Sequence, residues 1–474
     1  MEIEFFGAAG EVTGSCHILR VGSHTVLLDC GMVQGGRDAA QRNREEFPFV
    51  IGEIDCVVLS HAHVDHCGRL PLLVKRGFRG TIYTNAACRD LLPILLKDSA
   101  DLAAREVERR NRHRDPDEPL EEPLFTIEDV ERTLQLVRVL RYDVSHPILP
   151  GISVRLRDAG HILGSSSVEL ECSEAGTTRR IVFSGDLGQY DSPILLDPYH
   201  FDDADLVVME STYGDRLHRE RADTLREIGD IIAAADRDRG NVLVPAFAVG
   251  RSQEILYLLG QHFEEWGLRR WKIFLDSPMA IEASKVYWNH SDRYDEEARR
   301  LRDTFASMPT LPNLCLCRSP IESRAINEVR SHAFIIAGSG MCNGGRILHH
   351  FLHNLERPEC HVMITGFQAP GTLGRALVDG AATVRIHGRL IRPAATIHTV
   401  GGLSAHGDQA DLLRWYGSFA AHPPVCLVHG EWEPADALRK SLERLGARVF
   451  VPAPGGRLDL STMTMRRPSA GAEE

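Results

Sequence analysis

The chain has 474 residues, 43% of them hydrophobic, enough for more than one buried core, so two domains or one domain with a large insertion are expected. No apolar run approaches the roughly 18 residues of a membrane span, the start MEIEFFGAAGEVTGS has no basic or apolar leader region, and eleven cysteines scattered without a CxxC pair suit reduced thiols in a cytoplasm. A net charge of −12 counts against polyanion binding by overall charge, yet a local basic groove or a bound cation would not register in that sum.

The N-terminal part reads as short β runs, MEIEFFGAA, SCHILRVG, HTVLLDCG and DCVVLSH, several of them separated by Gly-containing turns. CGRLPLLVKRG predicts a helix, GTIYTN a strand, and AACRDLLPILLKDSADLAAREVERR a long helix. NRHRDPDEPLEEP, with two charge blocks and three prolines, reads as a solvated excursion. Strands resume at ISVRLRDAGHILGSSSVELEC, RRIVFSGDLG and ADLVVMEST. From about 211 to 386 the pattern becomes strand, turn and helix, repeated in NVLVPAFAVGRSQEILYLLGQHF, KIFLDSPMAIEASKVYW, HAFIIAGSGMCNGGRILHHFLHN and CHVMITGFQAPGTLGRAL. Such alternation predicts a parallel sheet with helices on both faces. Short β runs return in ATVRIHGRLIRPAATIHTV and PVCLVHG before an amphipathic helix at EPADALRKSLERLG, and the tail RRPSAGAEE predicts disorder.

The chemistry concentrates in VVLSHAHVDHCGRLPLL, where His61, His63, Asp65 and His66 crowd the end of an apolar run. Imidazole nitrogen and carboxylate oxygen suit zinc and neighbouring divalent ions. His61 and His63, two apart, share one side of an extended segment, whereas Asp65 and His66 are adjacent and diverge, so one loop can feed two metals. His161 in DAGHILGSSS, Asp186 in IVFSGDLG and His429 in VCLVHGE each stand at a strand end beside small residues. Singly each reads more readily as structural; together they complete two coordination shells, with Asp186 placed to bridge.

VLLDCG, HAHVDH, AGHILG, SGDLG, ESTYG, LSAHGD and VHGE follow one another from Asp29 to Glu431. In these motifs the chain resembles the metallo-β-lactamase-fold hydrolases of the β-CASP family, which process RNA and DNA. It is similar most closely to prokaryotic relatives of the endonuclease that cuts pre-mRNA before polyadenylation. The resemblance implies an α/β fold: a metallo-β-lactamase αββα sandwich in residues 1–208 and 387–474, with an α/β β-CASP domain inserted at 209–386. It implies two Zn2+ per chain, one held by His61, His63 and His161, the other by Asp65, His66 and His429, and Asp186 between them. Asp29 would stand behind the ligands and steady the histidine loop.

Two zinc ions suit hydrolysis of a phosphodiester, and the leaving oxygen then needs a proton. His406 in GGLSAHGDQADLL is the candidate acid, which the family pattern also implies, and Glu210 the candidate to orient it; Asp65 is both ligand and catalytic group. The plainer reading of His406 is a cap-region residue before the DQADLLRWY helix. Ser404, Gly340 in AGSGMCNGG, Arg346 and Arg375 are candidate phosphate contacts, the Gly-rich turns offering backbone N–H groups. None of these glycine stretches is a Walker loop. His429 at the VHGE position resembles the RNA-acting members, so single-stranded RNA is the expected partner, admitted to the metals under the inserted domain. Endonucleolytic and 5′-exonucleolytic cutting both stay open. So does DNA as substrate, as do a thioesterase, lactonase or iron-bound redox enzyme of the same fold, and a scaffold subunit. The large insert argues against the small-molecule enzymes, and the complete ligand set against the scaffold. A cytoplasmic protein without a membrane segment is expected, and apolar stripes late in the chain admit a homodimer.

Overall fold

A computed structural model describes residues 1–36, 38–112, 114, 119–304, 311–369 and 371–466, with the side chain of residue 304 left out. The chain divides into two compact units: Met1–Ser192, Leu196–Leu217 and His406–Glu474 form the first, Pro193–Leu195 and His218–Ala405 the second.

The first unit holds two sheets. One has eight strands, in the order Thr464–Arg466, Gly456–Asp459, Glu2–Gly7, Cys16–Val21, His24–Leu28, Cys56–Val58, Thr81–Thr84 and Val137–Val139. The other has seven, Val449–Phe450, Val425–Val428, Leu206–Glu210, Thr177–Phe183, Ser166–Glu174, Ile152–Asp158 and His146–Leu149. Alternate side chains of both sheets, among them Ile3, Phe5, Val26, Val58, Val154, Leu170, Phe183, Val208 and Val428, meet in one buried cluster. The opposite faces of the second sheet's strands, with Val182, Val207, Met209 and Leu427, pack against Leu412, Trp415, Leu438 and Leu442 of helices Gln409–Tyr416 and Trp432–Arg444. In the first sheet the chain turns from antiparallel to parallel pairing after His24–Leu28. That gives several strands C-terminal ends on one edge, where loops can carry ligands.

The second unit is built on six strands that pair in parallel throughout, in the order Leu314–Leu316, Lys272–Leu275, Ala333–Ala337, Val242–Pro245, His361–Ile364 and Thr396–Thr399. Helices cover both faces, Arg221–Asp238, Arg251–Gln261 and Pro278–Asn289 on one, Ile347–Asn354 and Leu373–Val378 on the other. The second unit runs to Ala405, past the 386 expected from the sequence. The reason is register: Thr396–Thr399 pairs with His361–Ile364 as the edge strand of this parallel sheet. The hairpin Val384–Ile386 and Arg389–Ile391 packs on the same unit's core.

The long helix spans Ala86–Arg112, and the flank of the charged excursion is tied down: Arg44 donates to the Glu122 carbonyl and Asn111 exchanges two hydrogen bonds with Glu121. Positions 113 and 115–118 of that excursion, and the tail 467–474 for which disorder was expected, lie outside the described residues.

Candidate metal centre

Every expected ligand lies in the first unit, at strand ends or in the turns after them. Cys56–Val58 ends two residues before Ser60 and His61; His63 then precedes the short helix Val64–Cys67, which carries Asp65 and His66. His161 lies in the turn between Ile152–Asp158 and Ser166–Glu174. Asp186 follows Thr177–Phe183, and His429 follows Val425–Val428 with a left-handed backbone, φ 52°. Gly31 is required by the crowding here: a Cβ on it would sit 1.6 Å from the Asp65 carbonyl oxygen.

The side chains converge as two sets. His61, His63, His161 and Asp186 present one ligand atom each within 4.8 Å of one another, and Asp65, His66 and His429 do the same. Asp186 faces both: its Oδ2 is 3.5 Å from His61 Nε2 and 3.5 Å from His161 Nε2, its Oδ1 3.2 Å from His66 Nε2 and 3.5 Å from His429 Nε2. Asp65 Oδ2 stands 3.6 Å from His429 Nε2.

The hydrogen bonds behind the rings decide which atoms point inward. Ser60 N and Oγ donate to Asp29, and His66 Nδ1 donates to Asp29 Oδ2 at 2.7 Å. His61 Nδ1 donates to Ser60 Oγ at 3.1 Å. Thr212 Oγ1 donates to the His429 carbonyl at 2.9 Å and accepts from His429 Nδ1 at 3.1 Å. The Nε2 atoms of His61, His66 and His429 are therefore left to face the centre, as neutral rings present to a metal. His66 Nε2 and His429 Nε2 lie 3.1 Å apart, His61 Nε2 and His63 Nδ1 3.2 Å, His161 Nε2 and His63 Nδ1 3.1 Å. Lone pairs so close repel unless positive charge lies among them. Among the described residues Asp186 Oδ1 is buried without a hydrogen-bond partner of good geometry, a second sign of an acceptor waiting for a cation. This donor set fits two divalent ions of zinc's kind.

Electrostatics point the same way. Burial opposes the charged form of His66, yet Asp186 and Asp29 raise its pKa well above the ordinary value. Burial raises Asp186, but His429, His66 and His61 hold its carboxyl well below the usual range. Burial drives His61 far down and His63 to about 4. The cluster thus gathers positive charge, as a proton on His66 or as metal.

Glu210 ends the strand Leu206–Glu210 and is wholly buried. Its Oε1 and Oε2 lie 3.1 and 3.2 Å from His406 Nδ1, and Oε1 also accepts from Leu187 N at 2.6 Å. Burial lowers the His406 pKa, but Glu210, Asp186 and Asp65 outweigh it and raise it to about 9. The cap of helix Gln409–Tyr416 is Asp408, whose Oδ1 accepts from Ala410 N and Asp411 N, so the helix-cap role falls to Asp408 and not to His406. His406 also comes within reach of Asp186 and His429 as a third group of ligand atoms.

The expected phosphate contacts all lie in the second unit. Arg346 donates to Asp276 Oδ1 and to the carbonyls of Cys317 and Arg318, holding loops together; Arg375 pairs with Asp379 one helical turn on. The Gly340 carbonyl accepts from Gln368 Nε2, and Ser404 stands two positions before His406 at the end of that unit. Sequence reading missed Ser60 and Thr212, the hydroxyls that set ring tautomers. Their signal was adjacency: Ser60 directly precedes His61, and Thr212 lies in ESTYG. Tyr213 of the same motif was also missed; its ring lies 6.1 Å from that of His406, edge-on.

Comparison with known proteins adds three matched segments: the metallo-beta-lactamase superfamily over residues 9–230, the Beta-Casp domain over 252–377, and a Zn-dependent metallo-hydrolase RNA specificity domain over 391–452. The chain is 40% identical over 452 residues to Ribonuclease TTHA0252 of Thermus thermophilus, covering 95% of this chain and 98% of that one. It is 28% identical to the transcription termination factor FttA of Methanocaldococcus jannaschii, covering 95% of this chain and 70% of that one. An RNase J-like protein of the same organism is also 28% identical, with coverage of 96% and 98%. The crystal structure of a protein of unknown function from Enterococcus faecalis V583 superposes with a TM-score of 0.53 at 13% identity, over 96% of this chain and 99% of that one, a likeness of fold.

Proposed function

The chain belongs to the β-CASP family of metallo-β-lactamase-fold hydrolases, and from that premise we propose that it is a ribonuclease holding two Zn2+ and cutting single-stranded RNA. It is a metal-dependent hydrolase acting on RNA. The observation that carries the finer reading is Asp186, whose two oxygens face two separate sets of imidazole nitrogens.

In this reading His61, His63 and His161 would hold one ion and Asp65, His66 and His429 the other, with Asp186 a candidate ligand to both. When bound, such ions stabilise charge on phosphoryl oxygens and make a nearby water more acidic. The protein does the rest. Asp29, Ser60 and Thr212 engage the Nδ1 atoms of His66, His61 and His429 and so leave their Nε2 atoms aimed inward. Glu210 takes the Nδ1 side of His406, which assigns Nε2 to proton delivery at the leaving oxygen. Gly340 and Ser404 are the proposed phosphate contacts. Arg346 serves them indirectly by holding its own loop to Asp276, and Arg375 would have to leave Asp379 to reach a phosphate. A cytoplasmic setting and a homodimer complete the proposal; all eleven cysteines are free, and among the described residues no helix is long and apolar enough to cross a membrane.

The test is His406→Ala. Cleavage of single-stranded RNA should fall about 10²–10⁴-fold with zinc content unchanged. Loss of zinc would instead make His406 a ligand. Turnover of thioesters with no RNA cleavage would favour the small-molecule reading.

A further inference from the structure

Two aromatic rings in the second unit are left about half in water. Phe247 is 47% exposed and Phe367 59%. Phe247 lies on the loop after strand Val242–Pro245, and Phe367 on the loop after the adjacent strand His361–Ile364. A third loop, Gly338–Arg346, follows Ala333–Ala337 on the other side of Val242–Pro245. The three loops are in contact: a Cβ on Gly340 would come within 2.8 Å of Phe247 Cδ2, and one on Gly366 within 3.9 Å of its Cε2. Gln368 Nε2 ties the same loops by donating to the carbonyls of Gly340, Gly366 and Phe367.

This edge is also where the topology reverses. From Val242–Pro245 the chain moves outward to Lys272–Leu275 and Leu314–Leu316, returns to Ala333–Ala337, then crosses to His361–Ile364 and Thr396–Thr399. In an open parallel sheet the crevice beyond the strand C-termini at such a reversal is where ligands bind. Glycine at 340 and 366 brings backbone rather than side chain against the Phe247 ring. Thr365 Oγ1 and Gln368 Oε1, buried in the same loop as Phe367, have no hydrogen-bond partner among the described residues.

We propose that Phe247 and Phe367 form a stacking platform for nucleobases of the single-stranded RNA substrate, making them substrate-binding residues outside the metal centre. The proposal rests on the nuclease reading above. An aromatic face accepts any base, so the platform would grip unpaired strands without choosing sequence, and would reject duplex, whose bases are already stacked. Gly340 serves it sterically, since any larger residue there would displace the Phe247 ring.

The experiment uses zinc-loaded full-length protein and single-stranded RNA oligonucleotides. Phe247→Ala and Phe367→Ala should each raise KM about tenfold, with kcat, zinc content and melting temperature near wild type. Phe247→Leu should behave like the alanine variant, and Phe247→Tyr like wild type. RNA carrying a single abasic ribonucleotide at the contacted position should lose the same factor with wild type and lose nothing further with the Phe variants. Wild-type KM in the double alanine variant, full function of the leucine variant, or additive abasic and alanine losses would each overturn the platform while leaving the nuclease standing. A wild-type holoenzyme that cuts no RNA would overturn the nuclease reading and the platform with it.

Discussion

Asp29 shows how much of the candidate centre depends on a residue outside the proposed ligand set. It accepts from Ser60 N, Ser60 Oγ, Ser15 Oγ and His66 Nδ1, from a left-handed backbone, φ 58°. Removing it leaves His66 free to rotate and to take the wrong tautomer. Asp29→Ala should therefore weaken zinc binding about 10–100-fold, read by competition with a chelator. On the proposed assignment Asp65→Ala and His66→Ala would each remove a ligand outright. Each protein should carry one zinc instead of two and lose almost all RNA cleavage; full activity with one zinc would sink the two-metal mechanism. Glu210→Gln keeps the shape but not the charge that holds His406 protonated. Its kcat should drop about 10–100-fold with zinc retained. The convergence of His61, His63, Asp65 and His66 was legible because the four candidate ligands share one hexapeptide. Thr212 and Ser60 were not, since a hydroxyl beside an imidazole has no pattern until the backbone brings His429 to Thr212 across 217 positions.

At the level of elements, the periodic signals read well. Each strand–turn–helix repeat between 240 and 378 appears, as in Val242–Pro245 followed by Arg251–Gln261. What sequence could not tell is which sheet a short strand joins. Thr396–Thr399 is β-like wherever it goes, and only pairing with His361–Ile364 assigns it to the second unit. The same limit hid the role of Asp276, which ends Lys272–Leu275 and accepts from Ser323 Oγ at 2.6 Å, His350 Nε2 at 2.7 Å and Arg346 Nη1 at 2.7 Å. Burial raises the Asp276 pKa, but His350, Ser323 and Arg346 together pull it below the ordinary carboxylate value. A depressed carboxyl contributes stability above its unfolded pKa of about 3.9, and that contribution is lost as pH falls through the lower folded value. The melting temperature of the second unit should thus fall on acidification below about pH 4, and Asp276→Asn should be less stable at neutral pH with a flatter acid limb. An unchanged acid limb in that variant would remove Asp276 from the account.

Across the whole molecule, all seven proposed ligands and His406 lie in the first unit, while the second has its own buried clusters. Ligand binding stabilises only the unit that binds. Calorimetry of the full chain should show the first unit's transition falling on the order of 10 °C when zinc is chelated, with the second unit's transition unmoved. Equal shifts in both would mean that the two units unfold as one.

The division of the first unit has a consequence for synthesis. Leu206–Glu210 and Val425–Val428 are neighbours in one sheet, yet His218–Ala405, nearly all of the second unit, is translated between them. At ribosomal rates of about 5–20 residues per second, Leu206–Glu210 waits roughly 10–40 s with one hydrogen-bonding edge unpaired. His406 and His429 emerge at the end of that interval, so the nascent chain carries the HAHVDH loop long before it can cut anything. On the proposed assignment activity waits for the segment that carries His406 and His429, and a chain stalled in the insert would be a hazard for strand-to-strand aggregation rather than a premature nuclease.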